Sequence, residues 1–285
     1  MLKRLLPLAC ATLMLAAGCG KSNDNPTVTQ TGAPLASLLP QALRDKGTLV
    51  VGSDIEYPPV ESYAPGSKTA IGIDPDLAKL IGDQLGVTLR FENATFDGLI
   101  TQLKSKRIDL IMSAMSDTKK RQASIDFVDY FNAGTSIIVL KGNPQHIQSV
   151  ADFCGKTVAI QRGTTQDDIA TAQAKTCGSN TLHVLKFDTD PEALLQVKQG
   201  RAVADMNDFP VAAYAAKTSN LYDVVGQQIG AGPYGIGVRK EDTQLRDALK
   251  QAIDAIIANG SYTSLLTKWN VTAGAVTSAT VNGGT

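Results

Sequence analysis

A run of small, hydroxyl-bearing residues followed by an arginine is the part of this sequence best suited to bind a small anion. Residues 111–127 pass from an apolar strand into a series of small residues, Ser113, Ala114 and Ser116. Arg121 follows, and its planar guanidinium group matches the two oxygens of a carboxylate. Each charge-assisted hydrogen bond would contribute about 1.5–3 kcal/mol. The pattern indicates a carboxylate site, and the alternative is a solvated arginine at the start of a helix.

The elements that must position these residues alternate between strand and helix. From Thr48 to Ser113 the sequence reads β-α-β-α-β, as TLVVGS, DPDLAKLIGDQLG, TLRFEN, FDGLITQLKS and IDLIMS. The first and last runs are short and almost wholly apolar, which is typical of parallel strands covered on both faces. A second alternation begins after Lys141, and the sequence from Thr243 to Asn270 again has helical periodicity.

Two lobes joined by two crossover segments accommodate this order of elements. The predicted fold is α/β, with two Rossmann-like lobes and a cleft between them. We expect crossovers near residues 133–136 and 231–234, so that the first lobe comprises 47–134 plus 232–272 and the second comprises 135–231. Ligands bind beyond the carboxyl ends of the strands in open α/β sheets, and here those ends would face each other.

The amino-terminal residues are typical of a lipoprotein signal. Lys3 and Arg4 precede an apolar run that is too short to span a bilayer and that leads to a Leu-Ala-Ala-Gly sequence before Cys19. We expect residues 1–18 to be removed, Cys19 to be lipidated and the mature chain to be exported and held at a membrane by its lipid. The alternative is an ordinary signal peptide with an incidental cysteine.

Polar segments without hydrophobic periodicity flank the predicted lobes. Residues 19–46 are predicted to form a flexible tether, and residues 273–285 a disordered tail of similar character. Of the remaining cysteines, Cys154 and Cys177 form a pair in an exported chain, and we expect them to be bonded to each other.

Composition and charge exclude several classes of function. The 285 residues carry 27 basic and 27 acidic side chains, and the basic clusters are short, so no nucleic-acid-binding surface is predicted. The string GAGPYG, residues 230–235, matches GxGxxG by letter, but a proline interrupts it and a strand-like run follows it. The two histidines are far apart and no ligand cluster accompanies them, so we expect no metal and no cofactor.

From about residue 47 to 270 the chain resembles the extracellular solute-binding proteins of family 3, the capture subunits of polar amino-acid ABC importers. Thr118, Arg121, Asp126 and Phe127 keep the spacing of that family's Thr-x-x-Arg and Asp-Phe pattern. The resemblance implies a periplasmic binding protein fold of type II, a monomer, an amino-acid ligand bound by hinge closure, and an ABC permease in the cytoplasmic membrane as partner.

The same resemblance assigns residues of the first lobe to the ligand. The segment SDIEYPPV, residues 53–60, is similar to a family strand exit in which the acid meets the ligand's side chain and the aromatic residue covers it. These positions correspond to Asp54 and Tyr57. Phe96 corresponds to a second aromatic wall of the site.

In the second lobe, IQRGTTQDD resembles a family turn that opens a helix. Thr165 would offer its hydroxyl and backbone N–H to a carboxylate at a helix N-terminus, which is an anion site, and would share that carboxylate with Arg121. Gln161 falls at a side-chain-contacting position. Asp208 matches the aspartate that accepts an α-ammonium group. The alternatives are that Thr165 is a plain N-cap and that Asp208 caps the next helix.

The predicted ligand is a basic or amide amino acid. Asp54 suits a cationic or amide side chain and would repel an acidic one unless a cation such as Arg162 offset it. One rival function is an enzyme on the same scaffold, resembling cyclohexadienyl dehydratase, with Asp54 or Glu56 as the acid or base. Another is a sensor that docks on a membrane receptor.

Overall fold

The computed structural model describes residues 32–285. The predicted signal sequence, the lipidation of Cys19 and the first part of the tether lie outside the described residues. Within residues 32–285, none of the helices combines the length and the apolar character that crossing a membrane requires.

A mixed α/β architecture is observed, and the predicted α/β class is confirmed. The strands of the described chain are β1 (Thr48–Ser53), β2 (Glu56–Tyr57), β3 (Glu61–Tyr63), β4 (Ala70–Ile71), β5 (Thr88–Asn93), β6 (Leu110–Ile111), β7 (Asp126–Leu140), β8 (Thr157–Gln161), β9 (His183–Phe187), β10 (Ala204–Asp208), β11 (Tyr222–Val238) and β12 (Thr280–Val281). The α-helices are α1 (Gln41–Lys46), α2 (Ile73–Leu85), α3 (Leu99–Lys104), α4 (Lys119–Gln122), α5 (Thr165–Thr176), α6 (Asp190–Lys198), α7 (Phe209–Ser219), α8 (Thr243–Ala258) and α9 (Ser261–Trp269). Short 3₁₀ helices cover Ala36–Leu38, Phe96–Gly98, Val150–Phe153 and Thr272–Gly274.

The large sheet runs through both halves of the molecule in the order β5-β1-β6-β11-β7-β10-β8-β9. Strands β5, β1 and β6 are parallel to one another, as are β10, β8 and β9. We call the half built around β1 lobe one and the half built around β8 lobe two. A separate small sheet, β2-β3-β4, belongs to lobe one.

Two long antiparallel strands, β7 and β11, pass from one lobe to the other. Their pairing shifts register between Val225 and Ile229, between Ile229 and Gly232, and again at Tyr234. The segments 133–136 and 231–234 lie within these two strands. Because the regular ladder is interrupted here, this part of the sheet is the natural place for the lobes to bend.

Each lobe has its own apolar core, because the helices present one apolar stripe to the sheet. In lobe one, Leu77 of α2 and Leu249 of α8 are fully buried against one face of the sheet. In lobe two, Phe153, Ile160 and Met206 form a corresponding cluster under α5. Two lobes with separate cores are thereby built on a shared pair of strands.

The described part of the tether differs from the prediction. Residues 33–46 are not free: they contain a 3₁₀ helix and α1, and Leu39 is completely buried in the core of lobe one. Leu35, Leu38 and Leu43 pack beside it. The apolar surface that these leucines bury is what fixes this segment to the lobe.

The predicted disordered tail also differs from what is observed. Strand β12 pairs with β7, with Thr280 opposite Asp129 and Val281 opposite Val128. Asn282 also binds the same strand, because its side-chain oxygen accepts a hydrogen bond from the Phe127 N–H at 2.8 Å. Small polar residues carry no periodic signal, and the backbone and amide hydrogen bonds of these residues order the segment instead.

The disulfide between Cys154 and Cys177 is present, as predicted, and it ties the 3₁₀ helix Val150–Phe153 to the end of α5. The two α-carbons lie 5.3 Å apart, and the cysteines are 23 residues apart in sequence. The bond therefore closes a substantial loop inside lobe two.

Replacing both cysteines by serine is expected to lower the free energy of unfolding by about 3 kcal/mol, because a loop of this size is no longer constrained in the unfolded chain. Urea denaturation of the variant and of the oxidised protein measures the difference. The reduced parent protein serves as the control, since it should unfold like the variant. Equal denaturation midpoints for oxidised and reduced protein would contradict the prediction.

Candidate functional site

A narrow cleft with a free volume of about 20 Å³ lies between the two lobes, at the carboxyl ends of the central strands. In this closed arrangement the cleft has room for about one water molecule. The structure brings all ten residues that were predicted to contact a ligand to this one cleft, and these are Asp54, Tyr57, Phe96, Ser113, Ala114, Ser116, Arg121, Gln161, Thr165 and Asp208. Three further residues line it, namely Glu61, Thr164 and Gln166.

The floor of the cleft in lobe one is a chain of hydrogen bonds among buried polar groups. The Ser113 hydroxyl accepts from the Asp54 N–H at 2.9 Å and donates to Oε1 of Glu61 at 3.1 Å. Glu61 is 1% exposed, and its Oε2 has no hydrogen-bond partner among the described residues. A buried carboxyl oxygen without a donor lies at this site, which is costly unless a ligand or a proton compensates it.

Behind this floor lies a second buried carboxylate, Asp74. It accepts from the Tyr130 hydroxyl at 2.6 Å and from the Ala114 N–H at 3.2 Å. Burial raises the pKa of Asp74 to about 6, and burial together with the charge of Asp74 raises the pKa of Glu61 well above its ordinary value. The backbone N–H of Ala114 is consequently occupied, so this predicted donor serves the protein itself.

Arg121 projects into the cleft from α4, a single turn capped by the Thr118 hydroxyl. One guanidinium nitrogen donates to the Ser116 carbonyl at 2.7 Å and the other to the Gly163 carbonyl at 3.1 Å. The group also stacks over Phe96, 5.3 Å from the ring centre. Burial lowers the pKa of Arg121 to about 10, so the side chain is still a cation at neutral pH.

The N-terminus of α5 points into the cleft from lobe two. The N-cap is Thr164, whose hydroxyl accepts from the Asp167 N–H at 3.1 Å. Thr165 is therefore the first helical residue, and the alternative in which it is the N-cap is wrong. Its hydroxyl donates to Gln166 at 3.2 Å. Free backbone N–H groups and the helix dipole make this terminus favourable for an anion.

Asp208 ends β10 and is almost fully buried. Its carboxylate accepts from Gln166 at 2.9 Å and from the Tyr57 hydroxyl at 3.2 Å. It makes no side-chain capping bond to α7, so the predicted capping alternative is not observed. Burial raises the pKa of Asp208 to about 6, while its hydrogen bonds and the charge of Arg121 oppose the shift.

Asp54 faces Asp208 from the other lobe, and Gln161 donates a short hydrogen bond to it. Burial raises the pKa of Asp54 to about 6, and the charges of Glu56 and Asp97 add to the shift. Glu56 is itself exposed to solvent. The cleft thus holds two carboxyl groups that are only partly compensated by the protein.

Several contacts join the two lobes directly, which makes this a closed arrangement. Tyr57 of lobe one donates to Asp208 and accepts from the Asp208 N–H at 2.8 Å. At the mouth of the cleft, Lys120 pairs with Asp168 at 2.8 Å. Gly163 lies so close to lobe one that a β-carbon there would be 2.9 Å from the β-carbon of Asp97.

The cation proposed to offset Asp54 is placed elsewhere. Arg162 pairs with Asp188 at 3.4 Å on the surface of lobe two, where both side chains are about half exposed. It does not line the cleft. Among the described residues, Arg121 is the one cationic side chain that does.

Sequence reasoning missed Glu61, Thr164 and Gln166. Thr164 and Gln166 flank the predicted Thr165. The sequence therefore identified the turn but did not show that its neighbouring residues also line the cleft. Glu61 sits on the short strand β3, four residues after Tyr57. Its signal was an acidic residue in an otherwise apolar surrounding, PPVESY, which is unusual unless the group is exposed or has a function.

Comparison with known proteins agrees with this geometry. Residues 49–272 match the family described as bacterial extracellular solute-binding proteins, family 3. The L-arginine-binding protein of Pseudomonas aeruginosa is 31% identical over 240 residues, which cover 81% of this chain and 90% of that protein. The histidine-binding periplasmic protein of Salmonella typhimurium is 31% identical, with 81% and 88% covered.

A solved structure of an ancestral arginine-binding protein bound to arginine is also similar. It is 36% identical, has a TM-score of 0.74, and the match covers 78% of this chain and 98% of that chain. The two-lobed architecture is therefore the type II fold of periplasmic amino-acid-binding proteins.

Replacing Tyr57 by phenylalanine is expected to open the ligand-free protein, because Asp208 loses both a donor to its carboxylate and an acceptor for its buried N–H. The closed form should be destabilised by about 1–3 kcal/mol relative to the open form. Small-angle scattering measures this as a larger radius of gyration than in the parent protein. Tyr63→Phe is the matched control, because Tyr63 is 38% exposed and outside the cleft. An unchanged radius for Tyr57→Phe would contradict the prediction.

Proposed function

Because the chain belongs to the bacterial extracellular solute-binding proteins of family 3, we propose that it is the ligand-capturing subunit of an ABC importer for a basic amino acid. The observation that carries the proposal is the distribution of charge in the cleft. A cation from lobe one and a helix N-terminus from lobe two lie at the same cleft as a buried carboxylate. This is the arrangement that an amino-acid zwitterion requires.

The α-carboxylate is assigned to Arg121 and Thr165. Arg121 uses one donor on each terminal nitrogen for protein carbonyls, and its other N–H groups make no hydrogen bond within the described residues. A planar guanidinium with unused donors, facing the start of α5, suits a bidentate contact to a carboxylate. Ser116, which follows β6, lines the cleft beside Arg121, to which its carbonyl is hydrogen-bonded.

The α-ammonium group is assigned to Asp208. This carboxylate is buried and accepts from neutral donors, Gln166 and Tyr57, so its charge is not balanced by a direct ion pair. A ligand ammonium group would supply the missing cation. Because Arg121 and Asp208 come from opposite lobes, both ends of the zwitterion are held only when the lobes are closed.

A basic side chain is favoured by a second carboxyl group in the cleft. Asp54 is buried there and forms no ion pair within the described residues, and the aromatic rings of Tyr57 and Phe96 line the same cleft. With Arg162 on the outer surface, Arg121 is the one cationic side chain among the described residues that lines the cleft, and no second cation is left there to accept an acidic side chain. The named ligands of the two relatives, arginine and histidine, agree with this preference.

Capture would proceed by closure of the two lobes around the ligand. A ligand shifts the balance between open and closed forms only through contacts that it gains in the closed form. Here those contacts come from Gln161, Thr165 and Asp208 if the ligand first binds lobe one. The protein already makes several contacts between its lobes, so the closed form needs only modest additional stabilisation.

The proposal extends to the cell envelope. We place the mature chain outside the cytoplasmic membrane as a monomer, anchored through a lipid on Cys19, where it delivers its ligand to an ABC permease. A Cys19→Ser variant should be released from membranes on cell fractionation. Retention of that variant in the membrane fraction would remove the lipid from the proposal.

A thermal-shift screen of the protein beginning after Cys19 tests the function directly. Basic amino acids should raise the unfolding temperature most, since a ligand at a hundred times its dissociation constant adds about 2.7 kcal/mol. Acidic amino acids should give no shift. If no amino acid gives a shift and prephenate or arogenate is consumed, the protein is an enzyme instead. If the protein binds an amino acid but cellular uptake of that amino acid does not depend on this protein and a permease, a sensor function is favoured.

Arg121→Ala and Asp208→Asn are each expected to weaken binding of the best ligand about 10–100-fold, because one charge-assisted contact is worth about 1.5–3 kcal/mol. Isothermal titration calorimetry measures the affinity, and thermal melts verify folding. Arg162→Ala is the control, because this arginine precedes the same turn but pairs on the surface. Affinity unchanged by either cleft substitution would remove that residue from the site.

Affinity is expected to fall as the pH drops below about 6. The pKa values of Asp54 and Asp208 are raised to about 6 in the ligand-free cleft, and a cationic ligand requires both carboxylates to be ionised. Each group that must lose its proton reduces the affinity by about tenfold per pH unit below its pKa. Calorimetry from pH 7.5 to 5 in buffers of different ionisation enthalpy should show proton release near pH 6. Constant affinity over this range would contradict the assignment.

A further inference from the structure

Residues 279–284, which we call the strap, lie outside the family match, which ends at residue 272. The strap runs along β7 and ends against the loop that bears Asp117. Its strand β12 pairs antiparallel with β7. After it, Asn282 makes three contacts with the same strand: its N–H donates to the Phe127 carbonyl, its amide oxygen accepts from the Phe127 N–H, and its NH₂ donates to Asp126.

The end of the strap fits against Asp117 without any free space. Gly284 is buried, and a β-carbon at this position would lie 2.0 Å from the Asp117 carbonyl oxygen and 2.8 Å from its carboxyl carbon. The Gly284 N–H donates to the Asp117 carboxylate at 2.8 Å. Only glycine permits this approach.

Asp117 directly precedes Thr118, the N-cap of the one-turn helix α4 that carries Arg121. Gln122, at the end of that turn, donates to the Asp117 carboxylate at 2.8 Å and to the Gly284 carbonyl at 3.2 Å. An isolated turn of four residues is not stable by itself, because its nucleation cost is not repaid. The strap therefore supports the turn from outside it, and none of the strap residues lines the cleft.

The strap also compensates two adjacent carboxylates. Asp129 on β7 accepts from the Thr280 hydroxyl at 2.7 Å and from the Gly283 N–H at 2.9 Å, while Asp117 accepts from Gly284. Burial and the nearby charge of Asp117 raise the pKa of Asp129 to about 6. Without these donors Asp129 would lose its hydrogen bonds from the strap and Asp117 would keep, among the described residues, only the one from Gln122, so repulsion between the two acids would favour displacement of the loop that bears Asp117.

We propose that the strap is a positioning element of the ligand site: through Asp117 and Gln122 it holds the turn of Arg121 in the orientation that receives the ligand's carboxylate. This inference rests on the proposed function, since Arg121 is assigned to the ligand there. The strap acts through Arg121 and does not touch the ligand.

The test uses Gly284→Ala, whose added methyl group must move the strap away from Asp117, and Asn282→Ala, which removes two side-chain hydrogen bonds to β7. Thr285→Ala is the matched control, because Thr285 is the exposed neighbour of Gly284. The first readout is hydrogen exchange of the ligand-free protein, measured on peptides covering residues 117–122. We expect exchange about tenfold faster in the two strap variants than in the parent and the control.

The second readout is affinity for L-arginine in the parent and in an Arg121→Lys background. Gly284→Ala should weaken binding about tenfold in the parent and have little effect when Arg121 is already replaced, because a strap that acts through this arginine is coupled to it. A variant that lowers the melting temperature but leaves the affinity unchanged would show a merely structural role and overturn the proposal. Equal losses of affinity in both backgrounds would overturn it too.

The two readouts separate this proposal from the proposed function. If the parent protein binds no amino acid, the proposed function fails, and the exchange experiment still decides whether the strap holds the turn. Unchanged exchange at residues 117–122 in both strap variants overturns the strap proposal whatever the calorimetry shows.

Discussion

Burial of charge between two lobes is the constraint on which the rest of the structure depends. A carboxyl group removed from water loses its hydrogen bonds to water. At Asp54, Glu61 and Asp208 the protein replaces only part of those hydrogen bonds. Neutral donors such as Gln161, Gln166 and Tyr57 make the remaining contacts. A cleft of this kind is closed although its charges are incompletely balanced, and the basic ligand that we propose would balance them.

The lobes make this incomplete charge arrangement possible because each has an independent core. Helices α2, α8 and α9 close the core of lobe one, and α5 and α6 pack on the sheet of lobe two, so neither lobe needs the cleft to stay folded. Strands β7 and β11 connect the lobes through irregular pairing. Stability is therefore concentrated away from the site, which allows the cleft to keep groups that a core would not tolerate.

The sequence was most informative about charged and polar residues that lie at or after the ends of strands. Asp54 and Asp208 could be found because each is an acid at the end of a strand, and parallel strands bring such positions together. Arg121 could be found through the family's Thr-x-x-Arg spacing, which begins at Thr118. The contacts of Glu61 could not be found, because the hairpin that returns it to the cleft has no periodic signal. Thr164 and Thr165 show the limit of this approach: two like residues in succession do not reveal which one caps the helix.

The predictions for the two ends of the described chain differ from the structure for a related reason. Residues 33–46 and the strap are rich in small and polar residues, and such composition usually accompanies flexible segments. Their order comes from specific contacts, a buried Leu39 at one end and the side chain of Asn282 at the other. These contacts depend on surfaces built by distant parts of the chain, so no local window of sequence contains them.

The contact between Gly163 and Asp97 has a kinetic consequence. In the closed form, backbone from one lobe lies against the other at the mouth of the cleft, and the Lys120–Asp168 pair lies beside it. A ligand bound as we propose would therefore leave when the lobes separate. Its residence time is set by the frequency with which β7 and β11 bend, and the groups that touch the molecule act on that time only by making the bend rarer.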